Sequence, residues 1–368
     1  MKTINGQFNY ANVMIDEIED STRDQIQGFL DNPSFAKSYI AIMPDCHAGA
    51  GSCIGFTMQM NHRVIPNVIG VDIGCGMLSC KFNLNNVDLV KLDQSIKRSI
   101  PVGFWSRKTV HPTAVDNFHC DEICGINMQK AMLGIGTLGG GNHFIEGGYD
   151  GGGSLWITIH SGSRNFGHSI ARYHSKIAEN MCEKWGSITN GIPFLPVDSP
   201  EGRLYIEHQK IAVEYAKINR KVMMEEISKI LGSTPIDTIE SIHNFIDETG
   251  MIRKGATPAH AGQRLIIPFN MRDGLAICEG RGNKKYNYSA PHGAGRLMSR
   301  TEARNVLNVE DFVNKMRDSG VYTTTANKST IDESPDAYKD MQAILDNIQE
   351  TVGVVEVIRP VYNLKSAE

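Results

Sequence analysis

Residues 67–77 read NVIGVDIGCGM, a β-branched apolar run that leads into closely spaced glycines. The apolar run predicts a buried strand, and the glycines predict that the strand breaks there. Asp72 and Cys75 lie three residues apart at this break, where they offer one carboxylate and one sulfur. Such a pair suits Mn, Fe, Co or Zn better than Mg or Ca, which avoid thiolate. Within this segment alone, a buried structural cysteine beside a turn-forming aspartate explains the same residues.

Length and composition are those of a globular protein with a sizeable core. The 368 residues are 41% apolar and carry a net charge of −4, so any nucleic-acid surface must be local. No Pro/Ser-rich linker, low-complexity tract or internal repeat occurs, so we expect one domain over residues 1–368. Eight cysteines without paired CxxC sets predict reduced thiols. With no signal peptide and no apolar run of ~18 residues, we expect a soluble cytoplasmic protein with no membrane segment.

Apolar periodicity and turn residues predict alternating helices and strands with Gly-rich connections. A strand–loop–strand unit is predicted over 38–60, and a hairpin is predicted between a strand that begins near His143 and one that ends at His160. Residues 134–139 match GxGxxG but follow a helix rather than a strand, which excludes a dinucleotide-binding motif. Helices are predicted over 12–31, 115–133, 168–185, 200–230 and 235–242.

Three histidines stand at the ends of predicted elements. His143 begins a strand after three glycines, His160 ends the strand paired with it, and His243 follows the segment 235–242. With the aspartate and cysteine above, they form a five-ligand set that suits Mn, Fe or Zn. Five ligands exceed what one catalytic ion normally takes, so two metals that share the sulfur would use the set well. Taken singly, each histidine is explained as well by a hydrogen-bonded core or surface position.

Several segments offer sites for anions. In NYSAPHGAGRLMSR (287–300), His292 stands beside flexible glycines and could act as a nucleophile toward phosphorus, although a Gly turn before a helix capped by Ser299 explains the segment as well. HSGSRNFGH (160–168) places Ser161, Ser163 and Arg164 before a helix N-terminus. Residues 253–304 carry ten basic and three acidic residues. Metal ligands combined with anion sites point to phosphoryl or nucleotidyl transfer.

One basic group is expected to be solvated, with contact to phosphates as the alternative. It comprises four residues of the predicted 200–230 helix: Lys210, Lys217, Arg220 and Lys221.

Taken in order, the motifs resemble those of the RtcB-type RNA ligases over nearly the whole chain. The motifs are MPDCHAGAGSCIG, GVDIGCGM, GTLGGGNHFIE, HSGSRNFG, HNF, RKGA, HGAGRLMSR, DESPDAYKD and NLK. The resemblance implies an α+β fold in which stacked, mostly antiparallel central sheets are flanked by helices and enclose a cleft. It also implies two Mn²⁺ ions per active site and the use of GTP.

The resemblance implies a role for each matching residue. Asp72, Cys75 and His143 would hold one manganese, and Cys75, His160 and His243 the other. His292 would attack the α-phosphorus of GTP, aided by Arg164 and Asp45. The residues implied in nucleotide binding are Asn142, Glu146, Arg296, Tyr338 and Lys365. Those implied in RNA or phosphate binding are Arg164, Lys254 and Arg300.

The implied reaction joins an RNA 3′-phosphate or 2′,3′-cyclic phosphate to a 5′-hydroxyl, through a histidine–GMP intermediate and an RNA(3′)pp(5′)G end. RNA repair or tRNA splicing would be the setting, with an archease-like protein as a possible activator. Two departures from the family pattern, at 269–271 and 288–291, leave nucleotide preference open. The alternatives are an enzyme that caps 3′-phosphate ends with poor sealing, a metal-dependent phosphodiesterase without a covalent intermediate, and a non-catalytic RNA-binding protein.

Overall fold

Strands and helices alternate along the chain, and the computed structural model describes residues 2–366 apart from 121, 122, 124 and 187–190. The strands are β1 (Lys2–Asn5), β2 (Tyr10–Val13), β3 (Ile40–Ile42), β4 (Phe56–Gln59), β5 (Arg63–Val64), β6 (Gly76–Phe82), β7 (Phe144–Tyr149), β8 (Leu155–Ser161), β9 (Leu195–Pro196), β10 (Asp237–Ile242), β11 (Asn244–Ile246), β12 (Met251–Lys254), β13 (Ala256–Pro258), β14 (Arg264–Pro268), β15 (Leu275–Gly280), β16 (Ser289–Pro291) and β17 (Val352–Lys365). The α-helices are α1 (Asp20–Leu30), α2 (Pro66–Ile69), α3 (Leu89–Ser99), α4 (Pro112–Asn117), α5 (Met128–Gly134), α6 (Arg164–Lys184), α7 (Pro200–Leu231), α8 (Arg300–Val306), α9 (Val309–Asp318) and α10 (Met341–Asn347).

Two sheets organise the molecule. The larger has seven strands in the order β10-β6-β8-β7-β17-β15-β14, and all neighbouring pairs are antiparallel. Its two edge strands, β14 and β10, approach each other, and the Ile266 N–H of β14 donates to the Ser241 hydroxyl of β10 at 2.9 Å. The sheet is therefore nearly closed. The smaller sheet has the order β1-β2-β3-β4-β12-β11, with β2 and β3 parallel. The predicted α+β fold of mostly antiparallel sheets flanked by helices is confirmed.

Alternation along the central strands separates a face that is apolar throughout from one that carries both apolar and polar side chains. On β8, Ile157 and Ile159 share a core with side chains of α3 and α7, so the period of two turns His160 to the opposite face. The same period turns Glu146 of β7 and Lys365 of β17 away from that core. The polar side chains of three adjacent strands therefore emerge on one side of the sheet.

The segment 67–77 is not a strand, and the prediction there was wrong. Its first residues belong to the single helical turn α2, and Gly70 and Gly74 have φ of 82° and 72°. Positive φ is incompatible with an extended strand and is readily adopted only by glycine. The strand β6 begins at Gly76, where the prediction ended. Val68, Ile69 and Ile73 are buried as expected, whereas Val71 is exposed. Burial by itself does not distinguish a helical turn from a strand.

Three predicted helices also need correction. The first begins at Asp20 rather than residue 12, because β2 pairs with β1 and β3. The predicted helix over 115–133 is divided into α4 and α5, and its residues 121, 122 and 124 lie outside the described chain. Residues 235–242 contain the strand β10, whose alternating burial follows a period of two and pairs with β6.

The remaining element predictions are confirmed. The unit over 38–60 is β3, a loop and β4, and the hairpin is β7 and β8. The helices predicted over 168–185 and 200–230 are α6 and α7, and Ser199 caps α7 by accepting a hydrogen bond from the Gly202 N–H. Among the described residues, none of the helices combines the length and apolar character needed to cross a bilayer.

Candidate active site

The loop between α2 and β6 carries Asp72 and Cys75 to the polar side of the larger sheet. Gly74 N–H donates to the Asn244 carbonyl at 2.8 Å, which ties the loop to β11. A Cβ at Gly162 would lie 2.1 Å from Asp72 Oδ1, so this position excludes a side chain. The loop is therefore held against the end of β8, where His160 lies.

Five side chains converge at this point, and we call them the ligand cluster: Asp72, Cys75, His143, His160 and His243. The Cys75 Sγ atom lies 3.6 Å from His143 Nε2 and 3.3 Å from His160 Nε2. His160 Nε2 lies 3.3 Å from His243 Nε2, and His143 Nε2 lies 3.0 Å from Asp72 Oδ2. The cluster contains two groups of three ligand atoms, each within 4.8 Å of one another, and the cysteine belongs to both.

Backbone carbonyls orient two of the imidazoles. His143 Nδ1 lies 2.8 Å from the Leu138 carbonyl oxygen, and His160 Nδ1 lies 3.3 Å from the Asn142 carbonyl oxygen. A proton on each Nδ1 satisfies these carbonyls and leaves the Nε2 lone pair directed into the cluster. This is the usual arrangement of metal-binding histidines.

The electrostatics of the cluster favour an added cation. Burial lowers the pKa of His160 and His243 well below the ordinary value, so both rings are neutral. Burial raises the pKa of the Cys75 thiol, and the Asp72 charge raises it further. Burial opposes ionisation of Asp72, but hydrogen bonding and the charges of His143 and Arg164 lower its pKa. A divalent cation would ionise the thiol and use every lone pair, so the donor set fits the predicted metals.

His292 lies directly beside the ligand cluster. Its ring centroid is 4.6 Å from that of His243. Its Nδ1 lies 2.7 Å from Asp45 Oδ2, and its backbone N–H donates to the same oxygen at 3.2 Å. Asp45 is fully buried, and these two contacts fix the orientation of the His292 ring.

A cleft of about 730 Å³ opens in front of His292. Its wall includes Glu146, whose Oε2 accepts from Asn363 Nδ2 at 2.9 Å and whose Oε1 is buried with no hydrogen-bond partner among the described residues. Burial raises the pKa of Glu146 to about 8. Phe269 and Met271, where the sequence departs from the family pattern, also line the cleft.

A second polar group surrounds Glu333, and we call it the Glu333 cluster: Glu333, Arg296, Arg300, Tyr338 and Lys365. The last four of these residues line the cleft. Glu333 Oε2 accepts from Lys365 Nζ and from the Tyr338 hydroxyl, both at 2.6 Å. Its Oε1 lies 2.8 Å from Arg300 Nη1 and 3.4 Å from Arg296 Nη1. Burial opposes ionisation, but the three cations lower the pKa of Glu333 to about 2.

A family model described as tRNA-splicing ligase RtcB matches residues 25–124 and 120–366 of this chain. The chain belongs to the RtcB family. RNA-splicing ligase RtcB1 of Escherichia coli is 31% identical over 396 aligned residues, which cover 95% of each chain. RNA-splicing ligase RtcB of E. coli K12 is 32% identical with the same coverage. The tRNA-splicing ligase RtcB of Aeropyrum pernix is 26% identical and covers 88% of this chain and 86% of its own.

The fold brings the residues predicted from the RtcB resemblance to one region. The cleft is lined by eight of them: Asn142, Glu146, His160, His292, Arg296, Arg300, Tyr338 and Lys365. Arg164, the first residue of α6, donates to the Gly103 carbonyl at 3.1 Å. Burial lowers the pKa of Arg164, and the Asp72 charge opposes that change. Lys254 is buried with its charge near Asp72 and Cys75. The roles of these residues stay predictions.

The sequence analysis did not predict the buried residues that hydrogen-bond the side chains and loops of this RtcB-family site. Glu333 lies in the motif DESPDAYKD, and we predicted no role for it, although paired acids beside a Ser-Pro turn are a recognisable signal of a polar site. Asn219 of α7 accepts from the N–H groups of Gly136 and Thr137 and donates to the Gly162 carbonyl, which joins the two Gly-rich loops.

Lys210 and Lys221 of α7 are exposed and Lys217 is partly exposed, as expected for a solvated basic face, and Arg220 is the exception. Its side chain is fully buried, and its Nη2 lies 2.8 Å from Glu240 Oε1. Its Nη1 donates to the carbonyls of Gly74 and Ser161 at 2.9 and 2.8 Å. Arg220 therefore joins the loop that carries Asp72 and Cys75 to the end of β8 that carries His160, a role that helical periodicity could not reveal.

Proposed function

We propose that this chain is an RNA ligase that joins an RNA 3′-phosphate or 2′,3′-cyclic phosphate end to a 5′-hydroxyl end. The observation that carries the proposal is the contact between His292 and the ligand cluster, with the His292 ring held by Asp45. This places an imidazole that could act as a nucleophile beside a set of metal donors. The names of the family relatives support the same class of reaction.

Manganese is the proposed metal. Asp72, Cys75 and His143 would hold one ion, and Cys75, His160 and His243 the second, with the sulfur shared. When bound, the two cations would neutralise charge on a triphosphate and make its phosphorus accessible to a nucleophile. The thiolate and imidazole donors favour such a borderline ion over magnesium.

His292 would react in the first step with GTP. Its Nε2 lone pair forms a bond to the α-phosphorus while the bond from that phosphorus to the β-bridging oxygen breaks, and pyrophosphate leaves. Asp45 accepts the Nδ1 proton in a hydrogen bond and stabilises the positive charge that develops on the ring. The product is a histidine–GMP phosphoramidate.

The RNA would then displace the histidine. An oxygen of the RNA 3′-phosphate attacks the GMP phosphorus, the P–N bond breaks, and His292 is regenerated. The RNA 5′-hydroxyl next attacks the 3′-phosphorus and GMP leaves, which seals the strand. The phosphoanhydride with GMP is needed because a hydroxyl cannot readily expel a bare phosphate oxygen, whereas it can displace GMP. Cyclic ends would be opened to the 3′-phosphate beforehand.

The cleft wall supports guanosine as the nucleoside. Glu146 Oε1 is a buried acceptor without a partner among the described residues, and guanine offers N1–H and N2–H donors that adenine lacks. Asn142, Tyr338, Lys365 and Arg296 surround the same space. Loss of one such buried contact gives strong discrimination against a base that cannot make it.

Several finer points remain part of this proposal. RNA repair or tRNA splicing would be the setting, an archease-like protein would be the activator, and residues 1–368 would form one catalytic domain in the cytoplasm.

The deciding experiment is incubation with α-labelled GTP and Mn²⁺, followed by acid and base. We expect an acid-labile, base-stable protein label that His292→Ala abolishes and that the exposed-histidine control His260→Ala retains. RNA with 3′-phosphate and 5′-hydroxyl ends should then be sealed. Accumulation of guanylylated ends without sealing would indicate a capping enzyme. Absence of label with every metal and nucleotide would contradict the proposal and favour a phosphodiesterase or a binding protein.

A further inference from the structure

Two adjacent aromatic side chains project into solvent beside the cleft. Phe104 is 99% exposed and Trp105 is 78% exposed, the two most exposed large hydrophobic side chains of the described residues. Aromatic rings are enriched in cores and interfaces, so two adjacent exposed rings indicate a binding site for another molecule.

The backbone beneath these rings is anchored. Gly103 N–H donates to the Gly139 carbonyl at 2.8 Å and to the Ser366 hydroxyl at 3.2 Å. Trp105 N–H donates to the Val102 carbonyl at 3.3 Å, which closes a turn. Arg107 N–H donates to the Leu133 carbonyl of α5 at 2.9 Å. The rings are thus presented on a fixed turn rather than on a loose loop.

The turn adjoins the candidate active site. Arg164, whose charge acts on Asp72, donates to the Gly103 carbonyl at 3.1 Å. The turn also binds the chain just beyond Lys365 through the Ser366 hydroxyl. Since consecutive Cα atoms are about 3.8 Å apart, Phe104 and Trp105 begin within about 8 Å of Gly103.

The charge of the turn suits a polyanion. The segment GFWSRK over 103–108 has two cations and no carboxylate. Lys108 is exposed, and Arg107 lies 3.9 Å from Glu226. Aromatic faces that accept bases, together with cations that follow phosphates, are the combination by which proteins bind single-stranded nucleic acid. A purely apolar protein partner would not need the cations.

We propose that Phe104 and Trp105 stack on unpaired bases of the RNA next to its broken end, and so position that end in the cleft. This inference rests on the proposed RNA-joining function. The rings are positioning groups that contact bases and take no part in bond making.

The test compares Phe104→Leu/Trp105→Leu with Phe104→Tyr/Trp105→Phe, which keeps both rings. We expect the leucine variant to bind a labelled single-stranded RNA with a 3′-phosphate at least about tenfold more weakly, and the ring-preserving variant to bind within about twofold of the parent. In sealing assays the leucine variant should raise KM for RNA with little change in kcat. Labelling of His292 by GTP without RNA should not change, which excludes a folding defect.

A second experiment tests whether the two rings stack on bases. RNA with abasic sites next to its 3′-phosphate should bind the parent protein more weakly than intact RNA, whereas the leucine variant should not distinguish the two. Val354→Ala/Val355→Ala, at an exposed apolar pair on β17, should discriminate as the parent does.

The outcomes separate this inference from the proposed function. Direct RNA binding requires no catalysis, so a parent protein that binds RNA through the rings but never labels His292 would refute only the ligase mechanism. A leucine variant with parental affinity and parental KM would overturn the stacking inference even if the ligase activity is intact. That second result would assign the pair to a protein partner instead.

Discussion

The ligand cluster and the Glu333 cluster are both largely buried groups of polar side chains that contribute residues to the cleft wall, but they balance charge differently. In the Glu333 cluster, one carboxylate lies within 3.4 Å of three cationic side chains. In the ligand cluster, donor atoms with lone pairs face one another at 3.0 to 3.6 Å. The first is complete once the chain has folded. The second is complete only with a cation from outside, which is the physical basis for a metal there.

The largest expected effect is that of Cys75→Ala. Because one sulfur belongs to both groups of ligand atoms, its loss should reduce two metal ions per chain to one or none. Labelling of His292 should fall by at least about a hundredfold, beyond the effect of losing an outer-shell partner. Metal analysis and α-labelled GTP measure both. Cys80→Ala, farther along β6, is the control, and two bound metals in Cys75→Ala would refute the shared sulfur.

The next effect is that of Glu333→Gln. It leaves Lys365, Arg296 and Arg300 without their carboxylate, which should lower the free energy of unfolding by about 3 kcal/mol and raise KM for GTP. Denaturant unfolding measures the first quantity. Asp336→Asn, which removes a half-exposed partner of Lys315, should cost less than about 1 kcal/mol. Metal content should stay at the parental value, and a loss of metal would show that the two clusters are not independent.

Removal of metal should have an intermediate effect. At a metal concentration one hundred times Kd, binding to the native state adds about 2.7 kcal/mol to the free energy of unfolding. A chelator should therefore lower the melting temperature of the parent and of Glu333→Gln alike. It should lower the melting temperature of Cys75→Ala by less, because this variant would hold at most one metal. A parent melting temperature that does not depend on the chelator would contradict the claim that the ligand cluster, unlike the Glu333 cluster, requires a cation.

We expect the smallest effect from a histidine pair outside both clusters, which shows how buried imidazoles behave without metal ligands or a carboxylate beside them. His174 Nε2 lies 2.9 Å from His208 Nδ1 between α6 and α7, with neither thiol nor carboxylate among the contacts described. Burial, with the His208 charge, lowers the pKa of His174 to about 4. Protonation therefore favours the unfolded chain, so the pair's contribution is complete above pH 6.5 and falls as pH drops toward 4.

We expect the free energy of unfolding to decrease by about 2 kcal/mol between pH 6.5 and 5 through this pair. Parallel unfolding curves of the parent and His174→Gln should converge as the pH falls. The variant should retain parental metal content, because two imidazoles alone make a weak site. Equal pH dependence in both proteins would contradict the assignment.

Sequence patterns were informative wherever a local rule decides the outcome. The apolar residues and turn glycines around 144–160 predicted the hairpin of β7 and β8, and the helical apolar periodicity predicted α7. They failed where the same apolar content fits two conformations, as at α2 and β10. Neighbouring strands decided those cases. Glu333 was missed because the cations that surround it come from residues 296, 300 and 365.

Residue identities alone establish the donor groups, the alternation that turns polar side chains to one face of the sheet, and membership of the RtcB family. Tertiary packing was needed to bring Asp72 and Cys75 to histidines 68 to 85 residues away along the chain, at a loop fixed by the buried Arg220. It also decided which rings are neutral, because a pKa depends on burial and nearby charge. These are properties of the folded surroundings, and no local pattern encodes them.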